Sequence, residues 1–172
     1  MIELREITWD NFWAVVNLKP AESQAHYLPP TSVFMAQAYV NLKLQYNDVC
    51  FAIYNGSDVV GFTKIVFVSK GEEPFLFDED TYYLDALMID EKHQGRGYGK
   101  AALKQILKYI KTAPWGKVCS IKTACYQDNT NAAALYEKFG FVKTDRFIQG
   151  RQGLHVYNLM GNGSDANEHN SN

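Results

Sequence analysis

What this 172-residue chain lacks narrows its role before any motif is read. It contains no window of eighteen or more apolar residues, so no membrane-spanning segment and no membrane partner are expected. It has no excess of basic residues. A formal net charge of -2 offers no cationic field to a nucleic-acid backbone, so DNA and RNA drop out as expected partners. The three cysteines, Cys50, Cys119 and Cys125, make no CxxC pair, and Met1–Glu6 lacks the basic-then-apolar order of a secretion signal. Reduced thiols in the cytoplasm are therefore expected, with Cys119 and Cys125 as core residues of an apolar stretch. The four histidines (His26, His93, His155 and His169) are scattered without ligand spacing, and no metal is expected.

What is present is a chain long enough to bury one core, with helical and strand periodicities in separate stretches. Leu4 to Ile7 reads as a short strand. Thr8 or Asp10 then caps a helix through Leu18, which Lys19-Pro20 ends. After a loop through Tyr27-Leu28-Pro29-Pro30, Thr31 or Ser32 caps a second helix to about Tyr46. Val49 to Tyr54 and Val59 to Val68 flank Asn55-Gly56-Ser57-Asp58, a hairpin signal because Asn-Gly tolerates positive φ. Strands follow at Tyr82–Ile89 and Val118–Cys125, with a helix from about Tyr98 to Thr112 between them. Asn129 to Phe139 is helical and Gly140 stops it; Phe141–Ile148 and His155–Met160 close the chain as a hairpin around Gly150 and Gly153. This order predicts a mixed α/β layered fold with residues 1–160 as one domain. Residues 161–172 hold only Gly, Asn, Ser, Asp, Ala, Glu and His, the composition of a disordered tail.

The most informative segment is Met88-Ile89-Asp90-Glu91-Lys92-His93-Gln94-Gly95-Arg96-Gly97-Tyr98-Gly99-Lys100-Ala101. A strand runs into three alternating glycines, and these open a helix. Glycines bring backbone N–H groups close to a ligand without side-chain obstruction, and the helix start adds unpaired donors and partial positive charge. That combination cradles phosphate. A Walker loop would need Ser or Thr where Ala101 stands, and a dinucleotide fingerprint would need its third glycine one residue later. Neither pattern fits.

Gln94-x-x-Gly97-x-Gly99 instead resembles the pyrophosphate loop of the GNAT superfamily of coenzyme A-dependent N-acyltransferases. About thirty residues on, Asn129, Ala132, Leu135, Tyr136, Gly140 and Phe141 resemble that superfamily's second motif, N-x-x-A-x-x-L-Y-x-x-x-G-F. The resemblance covers residues 48 to 160 well; the first forty residues carry little of it. Within the superfamily, this chain looks most like the bacterial diamine and polyamine (spermine/spermidine) acetyltransferases.

The resemblance implies a mixed, mainly antiparallel sheet of six to seven strands flanked by about four helices and splayed between Tyr82–Ile89 and Val118–Cys125. It implies acetyl-CoA as co-substrate. Backbone groups of Leu87, Met88 and Ile89 would meet the pantetheine arm, Gln94, Gly95, Arg96, Gly97, Tyr98, Gly99 and Lys100 would hold the pyrophosphate, and Asn129 would hydrogen-bond the arm. Tyr136 would protonate the leaving thiolate. The acceptor would be a primary amine of a small molecule, with a homodimer compatible with the family. Two alternatives are a protein or peptide N-acetyltransferase, which needs an open groove, and a coenzyme A-binding module without catalysis, which has no use for Tyr136.

Two acidic features bear on the acceptor. Asp85 is a carboxylate in an otherwise apolar strand, costly there unless partnered. It either joins a buried ion pair or faces the acceptor pocket, where it would bind or deprotonate the amine. Glu72 to Asp80 carries five acids and no base, which makes it either a solvated loop or a rim that concentrates a polycation.

Overall fold

The computed structural model describes residues 1–148 and 154–160. Seven strands, β1 (Ile2–Glu6), β2 (Asp48–Asn55), β3 (Asp58–Val68), β4 (Thr81–Ile89), β5 (Ser120–Tyr126), β6 (Val142–Phe147) and β7 (Leu154–Met160), form one sheet in the order β1-β2-β3-β4-β5-β7-β6. Four α-helices among the described residues cover it: α1 (Phe12–Val16), α2 (Thr31–Lys43), α3 (Tyr98–Ile110) and α4 (Thr130–Lys138). All pairings are antiparallel except β4 with β5. The expected layered fold is borne out. The turn around Gly150 and Gly153 and the 161–172 tail lie outside the described residues.

Strand alternation sorts the core into two layers. Phe51 and Ala52 are neighbours on β2, yet Phe51 packs with Leu103, Ile106 and Tyr136 of α3 and α4, whereas Ala52 packs with Val15 and Phe34 of α1 and α2. Leu103 and Ile106 are fully buried. Removing such side chains from water contributes about 1.5–3 kcal/mol each, which fixes the helix over the sheet.

β4 changes sides partway along. Tyr82 and Leu84 belong to the α3/α4 layer, while Ala86 and Met88 belong to the α1/α2 layer. The register with β3 steps from Ile65↔Leu84 to Lys64↔Ala86, so Asp85 is an extra, bulged residue. A one-residue bulge inverts the alternation and bends its strand. On its other edge β4 pairs with β5 only from Thr81↔Ser120 to Leu84↔Thr123. From Asp85 to Ile89 the two strands diverge.

The helix starts differ from the caps expected for them. The first helix begins at Phe12, because Asn11 accepts from the Thr8 amide through its side chain (2.9 Å) and donates to the Glu6 carbonyl (2.9 Å). Thr31 does not cap α2. Its hydroxyl donates to the Val15 carbonyl (2.9 Å), and Pro30 occupies the cap position. At Thr31 a tertiary partner outcompetes the local one, whereas Asn11 spends its side chain on the turn just before the helix.

Candidate active site

The gap between β4 and β5 opens beside the glycine loop. Asp90 ends β4, where its carboxylate accepts from the amides of Lys19 (3.0 Å) and Lys92 (3.3 Å). The Gln94 amide then donates to the Ile89 carbonyl and to Gln24 Oε1, both at 2.9 Å, tying the loop to the strand end. Gly97 (φ +77°) occupies the cap position of α3, with no side-chain cap above it. A left-handed residue there turns the chain so that the first-turn amides of α3, which lack intrahelical partners, meet the gap.

A cleft of about 320 Å³ fills this gap. Of the residues picked from sequence, Leu87, Met88, Ile89, Gln94, Gly95, Gly97, Tyr98, Gly99, Asn129 and Tyr136 line it. Arg96 and Lys100 do not; both are exposed beside the loop. Met88 enters the wall without offering its carbonyl, which lies against Gly61 on β3, closer than a Cβ there would tolerate. Alternation along the strand then turns the backbone groups of Leu87 and Ile89 toward the open side.

α4 forms the opposite wall. Asn129 caps it, accepting from the Ala132 amide (3.2 Å), so one end of its side chain organises the helix while the residue lines the cleft. Tyr136 is 6 % exposed and packs against Phe141 and Tyr157 at ring-centroid distances of 5.7 and 5.9 Å. Burial pushes its phenol up to about 12, and a hydrogen bond with Thr123 works in the opposite direction. It therefore stays protonated at neutral pH, as a proton donor must.

A second cleft of about 280 Å³ adjoins the first. The two share Tyr27, Leu28, Leu87, Asn129, Ala132 and Tyr136. Asp85 lines the second cleft. The structure brings it to Lys64, whose ammonium lies 3.2 Å from one carboxylate oxygen and 3.5 Å from Asp48. The side chains of Lys64, Asp48 and Asp85 are 3 %, 3 % and 7 % exposed. The other oxygen of Asp85, Oδ1, is buried without a hydrogen-bond partner.

Sequence reasoning missed Lys64, hidden in an apolar run, and also the wall supplied by the first forty residues. Tyr27, Leu28, Pro29, Phe34 and Gln37 close over the second cleft. Tyr27 stacks on Tyr126 (centroids 6.0 Å), and its phenol is raised by burial and then by Asp128. An aromatic and a leucine before two prolines in a polar loop were the available signal. The acid-rich loop, by contrast, lines neither cleft. Four of its five carboxylates are occupied: Glu79 by Lys122 (2.6 Å), Asp78 by Arg146 (3.3 Å), and Glu72 and Asp80 by the amides of Ser69 and Lys70. These contacts brace the loop, which stands outside the walls of both clefts.

A sheet split beside a glycine loop, with one cleft meeting a second at a buried tyrosine, is an arrangement able to hold two substrates side by side. Residues 4–141 match the model of the acetyltransferase (GNAT) family, and the chain belongs to that family. It is an acetyl-CoA-dependent N-acetyltransferase. Spermine/spermidine N(1)-acetyltransferase of Bacillus subtilis (strain 168) is 30% identical over 144 residues, covering 81% of this chain and 87% of that protein. Among solved structures, an aminoglycoside acetyltransferase in complex with coenzyme A superposes with TM-score 0.72 at 17% identity, covering 92% of this chain and 93% of its own. Spermidine N-acetyltransferase from Vibrio cholerae, in complex with coenzyme A and spermine, gives 0.62 at 17% identity over 91% and 92%. These two share the fold.

Proposed function

We propose that residues 1–160 act as one catalytic unit that transfers acetyl from acetyl-CoA to a primary amine of a small diamine or polyamine. The observation that carries this reading is Asp85, a carboxylate in the wall of the second cleft whose buried Oδ1 has no hydrogen-bond partner in the fold, a demand that an ammonium or amine N–H brought to that wall would meet. The similarity to a spermine/spermidine acetyltransferase points the same way. Closure of the second cleft by Tyr27, Leu28 and Pro29 favours a slender small molecule over a folded protein chain.

In this reading the larger cleft takes the coenzyme. Gln94, Gly95, Gly97, Tyr98 and Gly99, with the first amides of α3, hold the pyrophosphate, and Arg96 and Lys100 add charge from outside. Leu87 and Ile89 offer backbone groups to the pantetheine arm as an added strand, Met88 gives apolar wall, and Asn129 reaches the arm. The amine sheds a proton, with Asp85 both its anchor and the nearest proton acceptor, and its nitrogen attacks the thioester carbonyl directly. A carbon–nitrogen bond forms, the oxyanion is met by a backbone N–H near Ile89, the now cationic nitrogen gives up its second proton to solvent, and the carbon–sulfur bond breaks. Tyr136 hands its proton to the departing thiolate and recovers one from solvent.

The test is an acetyl-transfer assay of the full chain with putrescine, spermidine, spermine, a monoamine, an aminoglycoside and a lysine peptide. Turnover with kcat/KM at least tenfold higher for the di- and polyamines supports the acceptor assignment. Preference for the monoamine or the peptide overturns it.

A further inference from the structure

We infer that Asp48, which lines neither cleft, sets the charge that the second cleft presents to its amine, acting through Lys64 on Asp85. This deepens the acceptor reading above and rests on it. The geometry is a buried relay of three ionisable side chains on three adjacent strands. Lys64 of β3 stands between Asp48 of β2 (3.5 Å) and Asp85 of β4 (3.2 Å), all nine-tenths or more buried.

The charge count decides the matter. Asp85 with Lys64 alone would be a neutral pair, and a neutral pair gives a cation no reason to enter a low-dielectric cleft. Asp48 adds a second carboxylate, so two negative groups against one positive leave a formal charge of -1. Asp48 is held for this by the Asn41 amide, which donates to it at 2.8 Å. Cys50 faces Lys64 across the β2–β3 pairing, and burial pushes its thiol up to about 12, so it adds no charge. Asp85 Oδ1 is buried without a hydrogen-bond partner, and Asp85 borders the cleft. The uncompensated charge therefore lies in the wall of the second cleft, close enough to act on an ammonium bound there. Asp48 is a positioning residue: it does not touch the substrate, yet its charge holds Lys64 away from full neutralisation of Asp85.

Two isosteric changes separate charge from structure. Asp48→Asn keeps shape and brings the trio to zero, Lys64→Met brings it to -2, and the double variant restores -1. Steady-state kinetics with spermidine, together with melting temperatures, read the outcome on the full chain. Asp48→Asn is expected to raise KM for spermidine about tenfold, equivalent to 1.4 kcal/mol, with KM for acetyl-CoA unchanged. The double variant is expected to return KM to within about threefold of wild type, although it has lost the whole ion-pair network. Because the trio is buried, the tenfold difference should persist in 0.5 M salt. A double variant with KM as high as Asp48→Asn, or a difference that vanishes in salt, overturns the inference. Should Lys64→Met fail to fold, Asp48→Asn and the double variant still decide it. Wild type that turns over spermidine while KM ignores the charge defeats this inference alone; wild type that acetylates no amine of the panel defeats the acceptor reading with it.

Discussion

Leu84 and Thr123 are the last residues at which β4 and β5 stay in register, and the Thr123 hydroxyl donates to the Leu84 carbonyl at 3.0 Å. Thr123 is fully buried and is also hydrogen-bonded with Tyr136. One side chain therefore ties the point where the sheet splits to the tyrosine where the two clefts meet. Thr123→Val keeps the volume and removes the hydroxyl, leaving the Leu84 carbonyl without that donor. Stability should fall by about 1–2 kcal/mol in denaturant titration. Turnover should fall too, by less than for loss of Tyr136 itself. A variant with lowered stability and unchanged kcat would confine Thr123 to the fold.

Tyr136→Phe keeps the ring among Phe141 and Tyr157 and removes only the proton donor. Its kcat should drop by roughly 10²-fold, with acetyl-CoA affinity little changed by calorimetry. The pH dependence carries a sign. A primary amine loses its proton near about 10, so wild-type kcat/KM should rise from pH 7 toward 9. Tyr136, pushed up to about 12, remains protonated across that range and imposes no fall. A decline between pH 8 and 10 that Tyr136→Phe abolishes would mean a phenol ionising well below 12, and a Tyr136→Phe variant with unchanged kcat would rule out the acid role.

Gly97 at φ +77° has nothing within 4 Å of where a Cβ would project, so the space above it is open for a ligand. Gly97→Val forces a branched residue into a left-handed conformation, at a cost of about 1–3 kcal/mol. Coenzyme affinity should also fall at least tenfold, about 1.4 kcal/mol. Gly71 is the control. It has φ +75°, equally open surroundings and a place in the braced loop away from both clefts. Gly71→Val should cost similar stability and leave coenzyme binding intact; loss of binding in both would reduce the Gly97 effect to strain.

Local chemistry made part of this molecule legible. Asn55-Gly56 announces its hairpin because the turn needs positive φ at Gly56, and the glycine loop announces itself because α3 begins on a left-handed residue. Much of the site depends on register instead. Nothing near Asp85 marks it as a bulge, and its ion pair with Lys64 sits where the register between β3 and β4 shifts by that one residue. Tyr27 and Phe34 wall the second cleft by tertiary placement, which no periodicity of their own segments encodes. The cap expected at Thr31 fails for the same reason: its hydroxyl has the right chemistry for a cap and gives it to the distant Val15 carbonyl.

Two carboxylates make the final contrast, because sequence treats them alike and structure does not. Glu79 accepts from Lys122 at 2.6 Å and Ser120 at 2.5 Å, and these bonds, Lys122 first, hold its carboxyl below the usual carboxylate range. A lowered value in the fold means that its stabilisation is present above about pH 4.3, the ordinary glutamate value, and is lost as pH falls below it. Glu79→Gln should therefore lower the melting temperature at pH 7, with the gap from wild type closing as pH drops through that value. Polyamine kinetics should not change, since the loop reaches neither cleft. Asp85→Asn should do the reverse. It keeps the shape of the cleft wall and removes the charge beside Oδ1, so KM for spermidine should rise about tenfold or more, and kcat should fall as well where Asp85 takes the amine's proton. Losing half of a buried pair with Lys64 will also cost stability, so the discriminating readout is the split between substrates: KM for acetyl-CoA must stay near wild type while KM for spermidine climbs. If Asp85→Asn melts early and leaves KM for spermidine untouched, its carboxylate serves the fold alone, and the acceptor must be recognised by the aromatic wall of Tyr27, Phe34 and Tyr126.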